Sequence, residues 1–147
     1  NLYEILLSAF NLHKMSESNI DFAISKSKSS YPTKGDEEQL NRVFINLIKN
    51  SIESIHVKKN KIIDLQGKII IDINENNDYI YVNIIDNGVG FEHVDKRKML
   101  TPYFTTKKKG TGLGLSVVVK IINDHNGLIL FNTIKDGAKV TVMLPKI

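Results

Sequence analysis

The 147-residue sequence has no cysteine, no tryptophan and only three prolines. Without thiols it can form neither disulfides nor thiolate metal sites. Its four histidines, His13, His56, His93 and His125, are scattered and show no metal-ligand spacing. They read as surface or internally satisfied residues, and no Ser-His-Asp set or nucleophile elbow accompanies them. No apolar run is long enough to cross a bilayer: "NLYEILLSAF" is amphipathic and interrupted, and no basic segment with a small-residue cleavage site precedes it. Beginning on Asn rather than Met, the chain is expected to be a piece of a longer protein. Aromatics make up 7%, and although the formal net charge is +4, the lysines are dispersed with few rings between them. Nucleic acid is therefore not the expected partner.

What is present suits one compact domain. Leu2, Tyr3, Leu6, Leu7 and Phe10 recur at helical spacing, and "IDFAIS" alternates like a short strand. "SKSSYPTKGD" reads as a loop. Asp36 can then cap a helix, with Gln39 three residues on completing a capping-box pattern. In "EEQLNRVFINLIKNSIESI" the residues Leu40, Val43, Phe44, Leu47, Ile48, Ile52 and Ile55 mark one apolar face of a long helix. "GKIIIDINE" and "DYIYVNIID" form a hairpin around "NN". A charged, turn-rich stretch leads to a second helix, "TGLGLSVVVKIINDHNG", ending at Asn126-Gly127. "LILFNTI" and "AKVTVMLP" make a second hairpin through Lys135-Asp136-Gly137. The expected fold class is α+β, a two-layer α/β sandwich whose mixed sheet is covered by helices on one face.

Three constellations could carry chemistry. Asn46 and Asn50 lie four apart, so on a helix they stack on one side. A neutral amide oxygen can ligate Mg²⁺ while phosphates and waters fill its other positions. In "IIDNGVGF", Asp86 closes an apolar strand, and Gly88 and Gly90 let the backbone turn and approach a ligand. A carboxylate there can accept from an exocyclic amino group such as that of adenine. In "KKKGTGLGLS", Gly110, Gly112 and Gly114 lead into a helix whose free N–H groups suit phosphate. The spacing is neither the dinucleotide fingerprint nor a Walker loop.

In order, "NLIKN", "DNGVG", "PYFTTK" and "GTGLGL" resemble the N, G1, F and G2 boxes of the histidine kinase catalytic domain, which has the Bergerat (GHKL) ATP-binding fold. The segment "PYFTTKKKGTGLGLSVVVKIINDHNG" looks most like the nitrogen-regulation class of two-component sensor kinases. The resemblance implies ATP and Mg²⁺ as cofactors, with Asn50 the metal ligand and Asn46 its phosphate-side neighbour. It implies that Asp86 reads the adenine amino group in a pocket shaped by Gly88 and Gly90. Phe104, Thr105, Thr106 and Lys107 would belong to the lid, Lys107 being the candidate cation. Gly110, Thr111, Gly112, Leu113, Gly114 and Leu115 would cradle the phosphates.

The resemblance also implies a catalytic domain over residues 16–147, with residues 1–15 ending a linker helix from a separate dimerisation and phosphoacceptor domain. The partners implied are that domain, a response regulator downstream and a second copy of the full-length protein. The domain is expected to work in the cytoplasm, and its parent is allowed to be an inner-membrane sensor. Two details bear on rival activities of this fold. Many relatives have Lys or Arg where this chain has Glu53. The related ATP hydrolases resemble one another in placing a Glu general base where this chain has Asn46, whose amide cannot take a proton. A similar nucleotide site would also serve a serine-directed kinase, or a nucleotide-binding module that regulates a partner without transferring phosphate.

Overall fold

The longest apolar stripe in the sequence makes the longest helix. In the computed structural model, which describes residues 1–91 and 114–147, α2 spans Glu37–Lys59 and buries Leu40, Val43, Phe44, Leu47, Ile48, Ile52 and Ile55 along one side. Asp36 starts it, accepting the Gln39 amide at 2.9 Å. The reciprocal half of the expected capping box is made differently. The Asp36 amide donates to Nε2 of His125 at 3.0 Å, from the other end of the chain, and not to Gln39. An amide can only donate, so His125 Nε2 is the bare nitrogen; the proton sits on Nδ1, which donates to the Ile121 carbonyl at 2.7 Å.

Helix α1 spans Leu2–Ser16, longer than its first ten residues suggest. Strand β1 is Ile20–Lys26, β2 Gly67–Glu75 and β3 Tyr79–Asp86. Helix α3 spans Gly114–Asp124, and the hairpin of β4, Leu128–Ile134, and β5, Gly137–Pro145, closes the chain. The end of α3 comes where expected: Asn126 takes a φ of 58°, and the Gly127 and Asn126 amides return to Ile122 and Asn123. This double bond satisfies two carbonyls that a helix end leaves open.

The sheet order is β1-β2-β3-β5-β4. β1 and β2 are parallel, crossing over through α2, and every other pair is antiparallel. Alternation sends Ile69, Ile71 and Ile73 of β2, Ile80, Val82 and Ile84 of β3, and Val140, Val142 and Leu144 of β5 to the helical side. There they meet Leu2, Leu6, Ala9 and Phe10 of α1, the stripe of α2, and Val118, Ile121 and Ile122 of α3 in one core. Each buried Val, Leu, Ile or Phe among them contributes about 1.5–3 kcal/mol by leaving water. The opposite face carries a polar row: Thr141 donates to Asn83 at 2.7 Å, and Asn83 donates to Asp72 at 3.0 Å. Among the described residues the helices thus cover one face of the sheet, as the sequence predicts.

The 27–36 loop is anchored by a residue its composition hides. Tyr31 is fully buried; its hydroxyl accepts the Ser27 and Lys28 amides and donates to the Ile73 carbonyl at 3.0 Å. Among the described residues no helix is long and apolar enough to cross a membrane.

Candidate functional site

Asp86 is the last residue of β3 and points to the helical side, where apolar neighbours leave it 5% exposed. Burial raises its carboxyl above the ordinary carboxylate value; the Gly88 amide, the Ser51 hydroxyl and the charge of Lys58 pull the other way without cancelling it. The Gly88 bond is 2.9 Å long. The result is a buried acceptor fixed in place by donors at its own strand end and on α2.

The turn after Asp86 lies against α2 and the β4–β5 hairpin. A Cβ on Gly88 would fall 2.3 Å from Ser54 Oγ and 2.7 Å from the Ser54 backbone, so only glycine lets the chain pass this close to the helix. Val89 donates to Ser54 Oγ at 2.9 Å. Gly90 has a φ of 72°, and a Cβ there would meet the Gly137 carbonyl at 2.7 Å. Phe91 donates its amide to Thr133 Oγ1 at 3.0 Å and sets its ring edge-on to Phe131 at 5.8 Å.

Asn46 and Asn50 lie on α2, both half-buried beside its apolar stripe. Asn50 directly precedes Ser51, whose hydroxyl bonds Asp86, so the amide pair and the carboxylate share one region of the helix. The donor set suits Mg²⁺ held partly by phosphates: amide oxygens coordinate without neutralising the ion. Among the described residues no group of three His, Cys, Asp or Glu could hold a metal alone.

Gly114 begins α3, with no described atom within 4 Å of where its Cβ would lie. Leu115 is half-buried and packs on the core. Phe104, Thr105, Thr106, Lys107, Gly110, Thr111, Gly112 and Leu113 lie outside the described residues. A separate depression between α1 and the start of α2 is lined by Glu4, Glu37 and Glu38 with Ile5, Ser8 and Asn41. It is some ten residues up the helix from Ser51, roughly 15 Å, and its acidic lining repels phosphate.

Sequence reasoning missed Ser51, Ser54, Lys58 and Gly137. The first had a signal: Ser51 falls within the apolar stripe of α2, between Ile48 and Ile52, where a hydroxyl needs a partner.

The family model for histidine kinase-, DNA gyrase B-, and HSP90-like ATPases matches residues 35–147. The chain is 42% identical over 112 residues to sporulation kinase B of Bacillus subtilis (strain 168), covering 76% of this chain and 24% of that protein. It is 33% identical over 130 residues to a putative sensor histidine kinase NtrY-like of Rickettsia felis, covering 88% and 21%. Among solved structures, the catalytic domain of histidine kinase ThkA superposes with a TM-score of 0.84 at 31% identity, covering 99% of this chain and 95% of that one. ThkA in complex with the response regulator protein TrrA matches at 0.80 and 29%, covering 100% and 41%. The chain spans less than a third of the length of the curated relatives it matches. With an Asp-Asn-Gly-Val-Gly turn pinned to an asparagine-bearing helix, and with these likenesses, the chain belongs to the histidine kinase-, DNA gyrase B- and HSP90-like ATPase family, as an ATP-binding histidine kinase catalytic domain.

Proposed function

We propose that this domain binds ATP with Mg²⁺ and delivers the γ-phosphate to a histidine on a separate dimerisation domain, for relay to a response regulator. The observation that carries the reading is Asp86: a buried carboxylate, held by the Gly88 amide and Ser51 at the end of a core strand. Such an acceptor suits an exocyclic amino group and disfavours a carbonyl in the same place.

In this reading Asn50 ligates Mg²⁺ and Asn46 stands at its phosphate side. Mg²⁺ supplies charge neutralisation between the phosphates when bound. Gly88 and Gly90 shape the base pocket, and Gly114 and Leu115 open the helix whose N–H groups face phosphate. Phe104, Thr105, Thr106, Lys107, Gly110, Thr111, Gly112 and Leu113 complete the site from the segment between. Transfer then rests on positioning and electrostatics, since the attacking imidazole belongs to another domain. An amide at position 46 cannot activate water, which argues against hydrolysis as the main task.

Residues 1–15 lead in from the dimerisation domain and residues 16–147 carry the nucleotide. Leu2, Leu6, Ala9 and Phe10 bury in the same core, which supports passage of a movement of that segment to the site. The whole protein acts as a homodimer, its catalytic domain in the cytoplasm. Likeness to ThkA, whose complex with TrrA is known, supports the response regulator as partner.

The test is incubation of the full-length parent protein with γ-labelled ATP and Mg²⁺. Acid-labile, base-stable label on the protein, abolished by Asn50→Ala, is the expected result. Release of free phosphate without protein label would replace the kinase reading with hydrolysis. ATP binding with neither outcome would make the domain a regulatory module.

A further inference from the structure

Lys58 sits in the last turn of α2, seven residues after Ser51 and four after Ser54. The spacings 51, 54 and 58 fall on one side of a helix. All three side chains reach the same target. Ser51 bonds the Asp86 carboxylate, Ser54 accepts the Val89 amide, and the Lys58 ammonium donates to the Gly88 carbonyl at 3.2 Å and the Asp136 carbonyl at 3.1 Å. Lys58 therefore joins three elements: α2, the turn after β3 and the tip of the β4–β5 hairpin. Charge-assisted bonds of this kind are about twice as strong as neutral ones.

We propose that Lys58 is a positioning residue for nucleotide recognition, fixing the Gly88–Asp136 backbone so that the Asp86 carboxyl is presented to the base. The inference rests on the ATP-binding reading above. Lys58 touches no base itself. It acts through the turn it clamps and through its charge, which draws down a carboxyl that burial pushes up.

Among the described residues, charged groups on the elements packed about Asp86 include Lys58 and Glu53 of α2, Lys68 of β2, and Lys135, Asp136 and Lys139 of the second hairpin. Asp86 pairs with Ile69 of β2 and Ala138 of β5, so by alternation Lys68 and Lys139 fall on the opposite sheet face. Asp136 is exposed at the tip. Among these, the cation acting on the Asp86 carboxylate is Lys58.

The test is calorimetric titration with ATP across a pH series, using wild type, Lys58→Met, which retains the aliphatic stem, and Lys58→Arg, which retains the charge. Asp86 is followed by carboxyl NMR in the same proteins without nucleotide. Lys58→Met is expected to weaken ATP binding about tenfold, the scale of one charge-assisted hydrogen bond. The pH at which binding fails, and the Asp86 titration midpoint, should both move upward together, and Lys58→Arg should recover most of each. If Lys58→Met lowers thermal stability but leaves ATP affinity and the Asp86 midpoint where they were, Lys58 is merely structural and the proposal is overturned. Wild type that binds no ATP at any pH overturns the ATP reading and this proposal with it. Wild type that binds while the Met variant matches it overturns this proposal alone.

Discussion

Gly137 lies so close to Asp86 that a Cβ on it would sit 1.9 Å from the Asp86 carbonyl oxygen. The two residues meet where β5 begins beside the end of β3, adjoining the Asp86↔Ala138 pair. No side-chain rotation relieves such a clash, because both partners are backbone.

Gly137→Ala is therefore expected to cost about 1–3 kcal/mol of stability, the range of overpacking in a well-packed region. It should also weaken nucleotide binding, because the displaced atom belongs to the base-reading residue. Urea unfolding and an ATP titration of the surviving folded protein measure the two effects. A variant as stable as wild type would mean that the hairpin and β3 are not held this tightly.

Asp86→Asn separates recognition from stability. The folded-state value of Asp86 is raised above its ordinary one. Between those two values the native chain holds a proton that the unfolded chain has released, so this group makes stability fall as pH rises through that window. Asn at 86 removes that slope. The variant is expected to be no less stable than wild type at neutral pH, within about 0.5 kcal/mol, and to lose ATP binding. Unfolding curves at acid and neutral pH check the first part.

Glu75 has the opposite sign. Its side chain is 5% exposed and pairs with Lys28 and with Lys146, the latter at 2.8 Å. Lys146 first, and then Lys28, hold its carboxyl below the ordinary value. Its contribution is present above the usual carboxylate range and is lost as pH falls through the depressed one. Glu75→Gln should lower the thermal midpoint at neutral pH, and the gap to wild type should close in acid. A gap that persists at low pH would show that shape, not charge, is what Glu75 supplies.

His125 caps a helix to which it does not belong. His125→Ala removes the acceptor of the Asp36 amide and the donor to Ile121, with an expected loss of about 1–2 kcal/mol. Gln39→Ala should cost less than half of that, because Gln39 contributes its backbone amide, which alanine retains. Equal losses would restore the capping box that the spacing alone suggests.

The periodic elements were legible because their periods are set locally. The α2 stripe, the Asp36 cap, both hairpins and the Asn126-Gly127 helix end depend on residues within a few positions of one another. Asn46 with Asn50, and Asp86 with Gly88 and Gly90, were likewise legible as two short local motifs. Contacts made over long separations were not legible. His125 reaches Asp36 across 89 residues, Lys58 reaches Asp136 across 78, and Tyr31 reaches Ile73 across 42. Nothing near Tyr31 in a serine-rich loop signals a fully buried phenol. Ser54 and Lys58 look like ordinary polar positions until the turn after β3 is laid against them.

Adenine reading by Asp86 underlies the whole functional assignment, and calorimetric titration of the wild-type chain and of Asp86→Asn with ATP and with GTP, in Mg²⁺, puts it to the test. Saturable ATP binding by wild type, no measurable GTP binding, and loss of the ATP signal in a variant that remains folded are the expected results. Equal affinity for the two nucleotides, or ATP binding undiminished in Asp86→Asn, would contradict that role.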